Sequence, residues 1–291
     1  METLEEKNIY KKYRLVIIAF FIIFFIVAIY YNKNYNFFRR TEFYFPNSSV
    51  NGGMMLEESG KTMKDSKNPD WWLNSGGIMN ISANDFSTNL GKLPENSKWR
   101  KLYNKNNSRD TDQGYYPQNI FRLVSKSQWQ NFSQEVYFNI EKINLSESEY
   151  RNESNGVLLF NRYQDGDNLY YTGVRVDGDA VIKKKIKDKY YTLKEGRLFT
   201  NNQKYDRVKS PNFLPLNSWV GIKSEVENGI GNAVNIKLYV DRSGKGEWEL
   251  VLEAKDKGDK YGKAPFLKEG YVGIRTDFMD VKFRDYKIIE Q

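Results

Sequence analysis

With no histidine and no cysteine in its 291 residues, this chain leaves any chemistry to carboxylates, Tyr, Lys and Arg. That removes Ser-His-Asp and Cys-His nucleophile systems, His-ligated zinc and thiolate metal sites in one step. Arginine and tyrosine are therefore the residues to follow. Arg162 lies in the run VLLFNRY (157–163), and Arg175 in LYYTGVRV (169–176). A planar guanidinium beside aromatic rings suits a polyhydroxylated ligand, because rings cover its apolar face while the fork holds its oxygens. On a strand, alternate residues share a face. Arg162 is accordingly expected with Leu158 and Phe160, and Tyr171, Gly173 and Arg175 together on the next strand. Arg162, Tyr163, Tyr171 and Arg175 form the candidate ligand-binding set, with Asp277 at the closing turn as a further contact. For either arginine the plain alternative is a solvated face, or a pairing with a neighbouring Asp.

Carboxylates supply less. Glycoside hydrolysis needs two carboxyl groups about 5–5.5 Å or about 6.5–9.5 Å apart, a separation that sequence does not reveal. Asp110-Thr111-Asp112-Gln113-Gly114 offers oxygen donors in a loop, so Asp110 and Asp112 are candidate ligands for a structural Ca²⁺. The distal Glu of an EF-hand loop is missing, and a hydrogen-bonded Asx turn is the alternative. No other cofactor is expected. Trp71 and Trp72 point to opposite faces of any strand, so at most one joins a given surface; core packing is the expectation for the pair.

These residues need a scaffold, and the pattern for one is clear. After Trp71, apolar and polar residues alternate in short runs punctuated by turn signals. Phe132, Gln134, Val136, Phe138 and Ile140 alternate with Ser133, Glu135, Tyr137, Asn139 and Glu141. Asp165-Gly166 and Asp177-Gly178 separate consecutive strands, a strong hairpin signal. Further strands are read at 219–226, 234–240, 249–254, 271–275 and 279–288, and no helical pattern is read after residue 31. The fold class is therefore all-β, a two-sheet antiparallel jelly-roll sandwich.

Ahead of it, Leu15–Tyr31 reads LVIIAFFIIFFIVAIYY without a charge. Seventeen apolar residues reach the short end of a membrane-spanning helix, and Lys11, Lys12 and Arg14 before it and Lys33, Arg39 and Arg40 after it suit the interfaces. Residues 1–14 are read as a short tail, 15–31 as a single transmembrane helix, 32–70 as a stalk and 71–291 as the sandwich. The slim excess of basic residues before the span places the C-terminal domain outside the cytoplasm, on the cell membrane. Half of the net charge of +8 falls within residues 1–40, where lipid headgroups account for it; what remains is too little for nucleic acid.

Gly156–Lys185 (GVLLFNRYQDGDNLYYTGVRVDGDAVIKKK) resembles the central hairpins of concanavalin A-like lectin/glucanase domains. Laminin-G-like and 3-keto-disaccharide hydrolase-like domains belong to that superfamily. Glu269–Ile288 (EGYVGIRTDFMDVKFRDYKI) is similar to its closing strand pair. The resemblance spans residues 71–291 and implies the sandwich fold. It leaves activity open, because the superfamily holds binders, hydrolases and lyases. The Glu-x-Asp-x-x-Glu of its glucanases is absent, Glu225-Val226-Glu227 lacking the rest, and the Gln-x-His of alginate-lyase-like jelly rolls is excluded by composition. The expected function is a membrane-anchored, surface-exposed, lectin-like domain that binds a polysaccharide or glycan without catalysis. A glycan hydrolase or lyase on the same sheet, and a cell-envelope interaction protein without sugar affinity, are the alternatives.

Overall fold

Side-chain alternation with period two obliges each strand to send one face to a core, and the hairpin turns fold consecutive strands back on one another. The computed structural model describes residues 41–43, 54–57, 62–82, 85–199 and 203–291. Among them run the strands β1 (Thr41–Phe43), β2 (Met54–Glu57), β3 (Trp71–Leu73), β4 (Gly77–Ile81), β5 (Asp85–Ser87), β6 (Phe121–Trp129), β7 (Phe132–Ile143) and β8 (Gly156–Asp165). They continue as β9 (Asn168–Arg175), β10 (Asp179–Ile186), β11 (Lys189–Arg197), β12 (Trp219–Gly229), β13 (Ala233–Asp241), β14 (Glu249–Asp256), β15 (Gly270–Thr276) and β16 (Met279–Glu290). One antiparallel sheet has nine strands, ordered β14-β13-β12-β7-β16-β5-β4-β2 with β1 also on β16. The other has seven, ordered β11-β10-β9-β8-β15-β6-β3.

A single apolar core joins the two sheets. Phe132, Phe138, Val220 and Ile236 come from the first, and Val157, Leu159, Tyr170, Ile182 and Ile274 from the second. The all-β sandwich of two antiparallel sheets is thus as expected. Side chains also cross the gap. Gln134 donates to the Phe160 carbonyl and to Asn161 Oδ1, at 2.7 and 2.8 Å. Ser224 donates to the same Asn161 oxygen, and Tyr286 to Gln134 Oε1. Buried polar groups satisfied in this way fix one register of sheet against sheet.

One reading needs adjustment. A ten-residue helix, α1 (Lys98–Asn107), stands where no helix was read. Ser97 caps it, and Trp99 and Tyr103 turn inward against Ile78 and Leu93, with Leu102 partly buried beside them. Three apolar residues within little more than one turn, among Lys, Arg and Asn, make too short a run to show a helical period. The stretch read as stalk, 32–70, contributes β1 and β2 to the nine-stranded sheet. Leu15–Tyr31 lies outside the described residues, among which no helix is long and apolar enough to cross a membrane.

The β13–β14 turn carries a titrating group. Asp241 is fully buried and accepts hydrogen bonds from the amides of Ser243, Gly244 and Gly246 and the hydroxyls of Ser243 and Tyr137. Burial works to raise its pKa, but the Ser243 and Gly246 bonds outweigh it and the carboxyl is held below the usual Asp value. A folded pKa below the unfolded one, about 3.9, means stabilisation that is present above that pH and lost as pH falls through the lower value. Urea titrations from pH 7 to 2 should show this acid loss. Asp241→Asn should lower the neutral plateau by about 1–3 kcal/mol and flatten the acid limb. An unchanged acid limb would remove Asp241 as its source.

Candidate functional site: the outer face of the seven-stranded sheet

Alternation along β9 sends Tyr170 and Val174 into the core and Leu169 and Tyr171 to the opposite side. There they meet Val124 of β6, Leu158, Phe160 and Tyr163 of β8 and Val181 of β10 in a second apolar layer. Its rings form a ladder across the sheet. Tyr163 to Phe160 measures 5.4 Å between centroids, Phe160 to Tyr171 5.5 Å, and Tyr171 to Tyr190 of β11 6.1 Å. Two cavities open on this layer. The smaller, of about 310 Å³, is lined by Asp110, Asn119, Arg122, Tyr171, Lys185, Tyr190, Arg275 and Asp277, among others. The larger, of about 690 Å³, includes Met63, Trp72, Lys126, Tyr163 and Tyr271 in its walls.

Charge concentrates in the smaller cavity. Arg122 of β6 and Arg275 of β15 are direct cross-strand partners, so two guanidiniums stand side by side. A single carboxylate, that of Asp277, serves both. Arg275 Nε lies 2.7 Å from one of its oxygens and Arg122 Nη2 3.5 Å from the other, and Asp277 itself is only 3% exposed. Burial opposes the Arg275 charge, but Asp277 prevails and holds its pKa well above the ordinary value. At Arg122, burial and then the Arg275 charge prevail, and its pKa is lowered. Lys185 is matched by Asp167 and Asp188, at 2.9 and 2.8 Å. Lys183, cross-strand from Tyr171, forms no hydrogen bond or ion pair among the described residues; burial, then the Arg175 charge, lowers its pKa.

The same cavity also presents acceptors. Asn119 is fully buried; its amide nitrogen donates to the Asp110 carbonyl and to Asp112 Oδ2, which fixes the amide orientation. Its Oδ1 then has no hydrogen-bond partner. Asp110 commits one carboxylate oxygen to the Ser148 hydroxyl. Guanidinium donors, free acceptors and ring faces in one small concavity can hold a ligand rich in hydroxyls.

The candidate residues fall into three groups. Tyr171 and Asp277 line the smaller cavity and Tyr163 the larger. Arg162 is not with them. A bulge in β8 between Asn161 and Asp165 and a positive φ of 47° at Arg162 shift the alternation by one residue. Tyr163 therefore joins the side of Phe160, and the Arg162 side chain turns inward. There, fully buried, it donates to the Gln130 and Phe266 carbonyls and to Asn228 and Asn131. Arg175 clasps the β9–β10 hairpin, pairing with Asp177, Asp179 and Glu195 at 2.5, 3.2 and 3.3 Å, as its plain alternative had it. Asp112 gives both oxygens to Ser146 and Asn119. Among the described residues no group of three His, Cys, Asp or Glu side chains stands together to hold a metal ion; in the 110–114 loop Asp110 accepts from the Ser148 hydroxyl. The two tryptophans divide: Trp71 enters the core against Tyr286, and Trp72 stays on the outer side.

Arg122 and Arg275 were missed as ligand candidates. Each sits within an apolar strand, in FRLV and VGIRT, the same cue that singled out Arg162 and Arg175.

No protein-family profile matches the chain, and neither does any curated protein sequence. Solved structures show a general likeness. The carbohydrate binding module CBM66 from Bacillus subtilis is 13% identical with a TM-score of 0.41, covering 83% of this chain and 98% of that one. The marine PL-14 alginate lyase from Aplysia kurodai is 9% identical with a TM-score of 0.38, covering 84% and 100%. The exoplasmic/lumenal domain of VIP36 in its Ca²⁺/Man-bound form is 10% identical with a TM-score of 0.32, covering 60% and 78%. At such identities and scores these likenesses bear on neither ligand nor chemistry.

Proposed function

We propose that this chain is a membrane-anchored, surface-exposed carbohydrate-binding protein of concanavalin A-like jelly-roll type. Its ligand face is the outer face of the seven-stranded sheet, and the Leu15–Tyr31 segment anchors it with the domain outside the cytoplasm. The observation that carries this reading is the ring ladder running into a cavity with paired guanidiniums. A sugar ring offers an apolar C–H face to aromatic side chains and a rim of hydroxyls to planar donors and acceptors. Tyr171 and Tyr190 supply the first, Arg122, Arg275, Asn119 and Asp110 the second. Binding without turnover fits Asp277, whose carboxylate is engaged by two arginines and therefore poorly placed to move a proton.

Calorimetric titration of the full-length chain in nanodiscs against soluble oligosaccharides, with product analysis of each mixture, tests it. Saturable binding without new reducing ends or unsaturated products is expected. Tyr190→Ala, at a half-exposed ring, should weaken binding about tenfold, roughly 1.4 kcal/mol, without lowering stability. Cleavage products would replace this reading with an enzyme, and silence across the panel would end it.

A further inference from the structure

We propose that the sugar unit held in the smaller cavity is acidic: its anionic group lies against Arg122 and Arg275, and a hydroxyl of the same unit donates to Asn119 Oδ1. This rests on the carbohydrate-binding reading above.

Charge matching comes first. The acids of this face are largely committed. Asp167 and Asp188 answer Lys185, and Asp177, Asp179 and Glu195 answer Arg175. Of the carboxylates lining the cavity, Asp110 is held by the Ser148 hydroxyl and Asp277 alone pairs with the two guanidiniums, and Lys183 nearby forms no ion pair among the described residues. A partly buried cation that shares one counter-charge with its neighbour is disfavoured, and a ligand anion relieves it. Arg122 feels this most: burial and Arg275 both oppose its charge.

Hydrogen bonding comes second. Arg122 spends one nitrogen on the Ile120 carbonyl and Arg275 spends Nε on Asp277, so each guanidinium keeps further N–H groups for a planar, two-oxygen acceptor. A buried acceptor without a donor, such as Asn119 Oδ1, costs as much as a lost hydrogen bond. A sugar hydroxyl supplies that donor. Neither an anion without a hydroxyl nor an apolar ligand meets both demands. The cavity volume of about 310 Å³ is at the small end of ligand sites and suits one ring rather than several.

A sugar anion is either a carboxylate or a sulfate ester, and the test separates them. The full-length chain in nanodiscs is titrated with oligouronates, with the same oligomers after reduction of their carboxylates to alcohols, and with sulfated neutral oligosaccharides. One anionic class is expected to bind at least tenfold more tightly than its uncharged counterpart, with affinity falling as salt rises from 50 to 500 mM. Arg122→Gln and Arg275→Gln should each weaken that binding by about ten- to a hundredfold and weaken the uncharged oligomer much less, so that the margin between charged and uncharged oligomers shrinks. Asn119→Leu, if it folds, should weaken charged and uncharged oligomers alike; the salt dependence of the unmodified chain needs no variant. Equal affinity for charged and uncharged oligomers, insensitive to salt, overturns the acidic-sugar inference and leaves the carbohydrate reading standing. Absence of binding to any oligomer removes both.

Discussion

Lys184→Met is expected to lower the free energy of unfolding by about 3–5 kcal/mol. Lys184 is the middle residue of the Lys-Lys-Lys run 183–185, yet its side chain enters the core and is 0% exposed. Its ammonium lies 2.8 Å from Asp256, also 0% exposed, and donates to the Lys263 and Ala264 carbonyls at 2.9 Å each. Tyr170 donates to the same Asp256 oxygen at 2.7 Å and Gly258 N to the other. Losing the ammonium leaves a buried carboxylate with neutral donors only, and two carbonyls without their shared donor. The double change Lys184→Met/Asp256→Leu should recover much of the loss, since it removes the stranded charge. Lys183→Met, by contrast, should stay within about 0.5 kcal/mol of the parent chain. Urea unfolding followed by tryptophan fluorescence checks all three. A single-variant cost below about 1 kcal/mol would mean that water reaches the pair.

Arg162→Met should cost about 3 kcal/mol or more while leaving the glycan affinity of the folded protein unaltered. Four acceptors converge on this guanidinium, from the β6–β7 turn (Gln130, Asn131), the end of β12 (Asn228) and the segment before β15 (Phe266). Burial pulls its pKa down to about 10, so at neutral pH it remains a charged donor. Methionine fills similar volume but satisfies none of the four. Stability from chemical unfolding and affinity from calorimetry, measured on the same preparations, should therefore move in opposite patterns for two arginines. Arg162→Met loses stability and keeps binding, whereas Arg275→Gln weakens binding in the folded protein, where Asp277 still has Arg122. Loss of affinity in folded Arg162→Met would return that residue to the ligand face.

The strands from β7 to β16 are legible in the chain because a strand's signal is local: apolar residues recur at every second position and Asp-Gly turns end the runs. Only β11 in that stretch shows no clean alternation, with Tyr190 and Tyr191 adjacent and Lys, Glu and Thr around them. The sandwich followed from that pattern, since antiparallel strands with one apolar face each must bury it against another sheet. Tyr171, Tyr163 and Asp277 can likewise be singled out from their position on strands and turns, and each lines a cavity. Three things needed the tertiary structure. The inward turn of Lys184 depends on Asp256 coming opposite from β14, the edge strand of the other sheet. The displacement of Arg162 depends on a bulge whose extra residue is set by the partner strands, and one residue of shift exchanges the faces of a strand. The Arg122–Arg275 pair arises because β6 and β15, distant in sequence, lie side by side. Alternation fixes which residues of a strand share a face; only strand order and register decide which faces meet, and the candidate site is made of that meeting.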